Sequence, residues 1–201
     1  MTPRPAAVAR AAAYHEAGHA VASWRQGDGI GEVSIEPRTD PVTGDGIGGL
    51  FTLLRGGDRS LASGWGHRNL VMTLAGAAAQ HRHDPRSCIW SCATGDFRSA
   101  RDFAAIMTRS RESERALLAW AQAEARALIA ADWHLVEILA HALIEAVTIE
   151  GTAAMAILDA AEAAESARLR RAHAADPPRG LQGPSRPAHS LRAVDPEGSP
   201  V

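Results

Sequence analysis

The chain has 201 residues, a net charge of −2, and an apolar fraction of 46% carried by Ala, Leu, Ile and Val, with only 4% aromatics. Such a composition favours packed helices over a β-sandwich, and its charge balance offers no global attraction to nucleic acid. All 21 non-histidine basic residues are Arg. The absence of Lys rules out the Gly-x-x-x-x-Gly-Lys-Ser/Thr phosphate loop, and with it a standard ATPase site within these residues.

In chain order, 1–7 reads as a flexible arm and 8–26 as an alanine-rich helix, ended by Gly27, Gly29 and Gly31. Residues 32–36 alternate Val33 and Ile35 with polar side chains, a strand pattern. Turn residues fill 37–46, and 47–54 reads as a second short strand, giving a hairpin or part of a small sheet. A helix is expected over 60–81, then an irregular loop containing Pro85 to residue 95. Further helices are expected over 96–109, 112–130, 132–146 (with Asp132 as N-cap) and 152–173. From 173 to 201 the chain is rich in Pro, Gly, Ser and Arg without periodicity, and reads as a disordered tail. The fold class expected is mainly α (α+β), a helical domain over 8–172 with a small β element.

Within the first helix stands His15-Glu16-Ala17-Gly18-His19. Positions i and i+4 share a helix face, so His15 and His19 can offer two imidazole nitrogens to one zinc ion. Glu16 then lies beside the metal, placed to take a proton from a coordinated water whose pKa zinc lowers from about 15.7 to roughly 7. Gly18 costs about 1 kcal/mol relative to Ala in a helix, a cost that a close approach of another backbone would explain. A catalytic zinc needs a third protein ligand. His81, His83, Asp84 and Asp96 are the candidates. Asp96 begins a helix, where the macrodipole favours a carboxylate; capping that helix is its alternative role.

Several segments in the same order resemble the peptidase domain of the FtsH-type (AAA protease) zinc metalloproteases. They are Tyr14-His15-Glu16-Ala17-Gly18-His19-Ala20, Val33-Ser34-Ile35-Glu36-Pro37-Arg38, Leu74-Ala75-Gly76-Ala77-Ala78-Ala79-Gln80, Ala93-Thr94-Gly95-Asp96-Phe97-Arg98-Ser99-Ala100, and Leu143-Ile144-Glu145 with Thr148-Ile149-Glu150-Gly151. The resemblance covers roughly residues 11–159. It implies His15, His19 and Asp96 as ligands of Zn2+ and Glu16 as the catalytic base. The chain departs from the family at Thr39, Ala77, Gln80 and Cys92, where the family has Gly, Arg, Glu and Gly. Loss of that Arg and Glu would remove a structural ion pair or a subunit contact. No counterpart of the family's ATPase or membrane anchor is expected within these residues.

The function expected is a zinc metalloendopeptidase hydrolysing peptide bonds in flexible or unfolded polypeptides without an ATPase of its own. A β-edge at 33–35 or 47–54 would pair with an extended substrate. The alternative is a non-catalytic, zinc-stabilised adaptor or regulatory module derived from such a protease. The partners expected are a polypeptide substrate, a separate ATPase subunit delivering it and further copies of the chain in a homo-oligomer, with no nucleic acid and no transmembrane segment. With no apolar leader and two cysteines, a reducing, cytoplasmic setting is the default.

His81, His83, Cys88 and Cys92 form a short cluster whose spacing matches no common zinc finger; free thiols beside solvated histidines are expected there, over a second zinc or a Cys88–Cys92 disulfide. Trp120, Trp133, His134 and His141 read as core or interface residues. Arg109, Arg111, Glu112, Glu114 and Arg115 read as a solvated helix face, and Arg168, Arg170 and Arg171 as a solvated helix end.

Overall fold

The structure is a computed structural model that describes residues 6–39, 46–47, 49–53, 64–87 and 94–175. It is mostly helical with a small antiparallel sheet. The elements run α1 (Ala6–Arg25), β1 (Ile30–Ser34), β2 (Arg38–Thr39), β3 (Gly46–Ile47), β4 (Leu50–Leu53), α2 (Trp65–His83), α3 (Thr94–Met107), α4 (Arg111–Ala131), α5 (Trp133–Ala146), β5 (Thr148–Glu150) and α6 (Gly151–Ala175). The chain divides into two units, Met1–Ser166 and Ala167–Val201, with α6 running from the first into the second. The expected arm at 1–5 and the tail beyond 175 lie outside the described residues.

α1 is the central helix. Every residue from Ala12 to Ser23 is buried, which small alanines permit on all sides at once. The helix ends in a Schellman motif: Gly27 takes φ 76°, its N–H donates to the Trp24 carbonyl, and the Asp28 N–H donates to the Ser23 carbonyl. Gly18 marks the crossing of α1 and α2. A β-carbon there would meet the Ala75 carbonyl oxygen at 2.7 Å and the Ala79 Cβ at 2.6 Å. The close backbone approach expected of this glycine is present.

One apolar core joins α1, β1, α5 and the start of α6 through Val21, Val33, Leu139, Leu143 and Leu158. A second, formed by Leu70, Leu74, Ala100, Ala104, Ala121 and Ala125, joins α2, α3 and α4.

The sheet has the order β4-β1-β5. Val33 pairs with Phe51 on one side and Ile149 on the other, both antiparallel, with an irregularity between Ile30 and Val33. β1 is therefore the middle strand, which corrects the expectation of a substrate-pairing edge at 33–35. β5 was not foreseen: three residues between two helices carry no periodicity, and their pairing with β1 is long-range. β5 passes directly into α6 at Gly151, where any side chain would collide with the Ile30 carbonyl.

Asp132 occupies the N-cap position of α5, but its side chain makes no capping bond. Instead its carboxylate takes a two-pronged contact from Arg25, Nε to Oδ2 at 2.9 Å and Nη2 to Oδ1 at 2.6 Å. The same guanidinium reaches Glu162 on α6 at 3.0 and 3.1 Å. One residue thus ties the end of α1 to three other helices at their junction. Among the described residues, no single helix is long and apolar enough to cross a membrane.

Candidate metal centre

α1 and α2 face each other through two stripes spaced by four residues. On α1 these are His15 and His19; on α2 they are Met72, Gly76 and Gln80. His15 and His19 are 4% and 6% exposed, so each ring needs its polar atoms satisfied inside the protein. His15 Nδ1 donates to Gln80 Oε1 at 3.1 Å, and His19 Nδ1 donates to the Met72 carbonyl at 2.8 Å. Gly76 lies flat against the His19 ring, where a β-carbon would overlap Nε2, Cδ2 and Cε1. Phe51 of β4 stacks on the same ring at 5.9 Å between centroids.

With both Nδ1 atoms engaged as donors, both Nε2 lone pairs point inward. They lie 3.1 Å apart. Asp96, in the first turn of α3, brings Oδ2 to 2.9 Å from His15 Nε2 and 3.3 Å from His19 Nε2. Three electron-pair donors thus converge on one point, an arrangement that repels itself unless a positive charge sits among them. Donors about 2.0–2.2 Å from a tetrahedral zinc are spaced by about 3.3 Å. The residues present fit a divalent metal ion, and their outer partners, Gln80 and the Met72 carbonyl, fix ring orientation as such sites require.

The electrostatics carry the same pattern. Burial opposes the protonation of His19, but the Asp96 carboxylate, its hydrogen bond, Glu16 and the Met72 carbonyl outweigh it and push the imidazole up to about 9. Burial likewise disfavours the Asp96 carboxylate, yet His19 and His15 hold it well below the usual carboxylate range. The site selects for positive charge.

Glu16 is buried, 6% exposed, directly under Gly49 at the entry to β4. A β-carbon on Gly49 would run into the Glu16 carboxylate. The strand therefore passes over the acid with only its backbone in the way.

The other candidates for third ligand go elsewhere. His81 is exposed. His83 stacks on Tyr14 at 3.6 Å and 10°. Asp84 accepts from the Arg86 N–H. Among the described residues, no second group of three or more His, Cys, Asp or Glu side chains comes together; Cys88 and Cys92 lie outside them. Asp96 is inside α3 rather than at its cap. Trp133 packs on Tyr14 at 5.5 Å, while Trp120 is 41% exposed. Glu114, expected on a solvated face, is buried beside Arg111.

Gln80, Gly76, Gly49 and the Met72 carbonyl were not foreseen as parts of the site. The spacing of Met72, Gly76 and Gln80 was the available signal. Gln80 was read as a lost ion pair or subunit contact; its amide oxygen serves His15.

Neither a protein-family model nor a curated protein matches this sequence. Fold and site define a mainly helical domain in which α1 and the start of α3 bring together two histidines and one carboxylate that could hold a metal ion.

Proposed function

We propose that this chain is a zinc-dependent metalloendopeptidase acting on flexible or unfolded polypeptides, akin to the FtsH-type peptidase domain its motifs resemble. The observation that carries this reading is the convergence of His15 Nε2, His19 Nε2 and Asp96 Oδ2, with Glu16 one residue from a ligand on the same helix. Three protein ligands leave a zinc ion one open position. Zinc bound there supplies Lewis acidity toward a peptide carbonyl and acidifies a water.

The chain's own residues then have defined tasks. Glu16 Oε accepts the proton of the attacking water and returns it to the departing amine nitrogen. β4, the terminal strand of its sheet beside Glu16, supports an extended substrate through backbone hydrogen bonds, the mode of strand addition. Extended pairing of that kind selects flexible segments over folded ones. Phe51 and Gly76 hold the His19 ring so that its Nε2 does not swing out. A buried carboxylate beside the ligands is placed to move a proton, which favours an enzyme over an adaptor. Delivery of substrates by a separate ATPase subunit and assembly into a homo-oligomer belong to the same proposal, as does a cytoplasmic setting.

The test is zinc content together with cleavage of an unfolded casein-like substrate. Wild type should carry one zinc per chain and cut. Glu16→Gln should keep the zinc and lose cleavage by at least about a hundredfold. Undiminished cleavage by Glu16→Gln overturns the role of Glu16, and a wild type that holds zinc but never cuts favours the adaptor.

A further inference from the structure

A groove of about 440 Å3 opens between α2, α3 and α4. It lies on the side of α2 opposite the histidines: Met72, Gly76 and Gln80 face the metal centre, while Leu74, Ala77 and His81 project from the other face. Leu74, Ala77, Ile129 and Phe97 give it apolar walls. Ala77 stands where the resembling motif has Arg, and its methyl group leaves the space open. The volume falls in the range of small-molecule sites, about 300–1,000 Å3.

The rim has one sign of charge. Arg82 and Arg126 reach it from α2 and α4, and no acidic side chain among the described residues lines it. Neither arginine makes an ion pair among the described residues. The Arg82 guanidinium lies over the Trp133 ring at 4.8 Å, which leaves its in-plane N–H donors available.

We propose that this groove binds an apolar monocarboxylate, a molecule with a compact or chain-like hydrocarbon body and a single acid group. The hydrocarbon replaces water against Leu74, Phe97 and Ile129. The carboxylate sits at the rim, where the planar forks of Arg82 and Arg126 match its two oxygens. A cationic ligand meets no acidic side chain among the described residues there. The site is separate from the metal triad and independent of the peptidase reading.

The probe is decanoate below its micellar concentration, titrated calorimetrically and by tryptophan emission, beside decanol and decyltrimethylammonium. Decanoate should bind one per chain, decanol at least about tenfold more weakly, and the ammonium compound not at all. Arg126→Gln, an exposed change, should weaken decanoate at least about tenfold without altering the melting temperature. Filling the groove with Ala77→Leu should abolish binding, and Trp133→Phe should remove most of the emission change. Binding should persist in His15→Ala, so that failure of the metal reading leaves this one standing. Equal affinity for decanol, unchanged affinity in Arg126→Gln, or no binding of decanoate at millimolar concentration would overturn the proposal.

Discussion

The backbone of Gly76 lies against the imidazole of His19, so close that a single added carbon would occupy the ring's own space. α2 is therefore a wall of the metal centre as well as a packing partner of α1. Gly76→Ala should push His19 off its position and lower zinc affinity at least about tenfold, read by competition with a chromophoric chelator. Gly95→Ala, with open space around it, should leave zinc affinity within about twofold. Equal affinity for wild type and Gly76→Ala would show that the ring has freedom the packing denies it.

Gln80 holds His15 through its amide oxygen. Removing that acceptor with Gln80→Leu should weaken zinc binding about 10–100-fold, the usual effect of losing a ligand's outer partner. Gln80→Glu should restore or exceed wild-type affinity, because a carboxylate is the stronger acceptor of an imidazole N–H.

A proton and a metal ion compete for the same three donors. His19 is raised from 6.5 to about 9 in the folded, metal-free protein. A raised histidine contributes stability that is fully present below its unfolded value and is lost as pH rises through the folded one. Metal-free protein should therefore lose stability between about pH 6.5 and 9, and His19→Gln should flatten that dependence in urea melts. By the same linkage, zinc affinity should rise with pH up to about 9, and zinc uptake at pH 7.5 should release close to one proton. Calorimetry in buffers of different ionisation enthalpy measures it. At the acid end, Asp96 is depressed, so its contribution is present above its ordinary value of 3.8 and disappears as pH falls below it.

Arg25 and Asp132 form the main polar tie between helices. Asp132 is 7% exposed, and Arg25→Ala would leave its carboxylate without its principal partner. A loss of about 2–3 kcal/mol in unfolding free energy is expected. Arg25→Ala combined with Asp132→Asn should cost less than Arg25→Ala alone, since no charge is then stranded.

Val147 takes φ 65° and ψ −43°, a conformation strained for a β-branched residue. The position is held because its N–H donates to the Leu143 carbonyl and its own carbonyl accepts from the Ile35 N–H, seating β5 against the sheet. Its side chain is 44% exposed. Val147→Gly relieves about 1–2 kcal/mol of strain against about 0.5–1 kcal/mol of added chain entropy. A net gain of up to about 1.5 kcal/mol should appear in thermal melts.

What the residues alone determined is local. A His-Glu-x-x-His run on an alanine-rich helix must stack its two imidazoles one turn apart, because helix geometry depends on neighbours three and four positions away. The helices were legible for the same reason: α1, α4, α5 and α6 fall within one or two residues of their expected ends. Asp96 as third ligand came from the resemblance, and Asp132 stands at its expected N-cap position, but its carboxylate turns to Arg25, which sequence cannot see approaching from another helix. Folding decided which groups the histidines meet. Asp96 lies 81 positions from His15 and Gln80 lies 65; β1 pairs with a three-residue strand 114 positions on; Gly49 covers Glu16. Each depends on how closely α1 packs on α2, β1 and β4, a consequence of small residues at the crossings, and no short window of sequence holds both sides of such a contact.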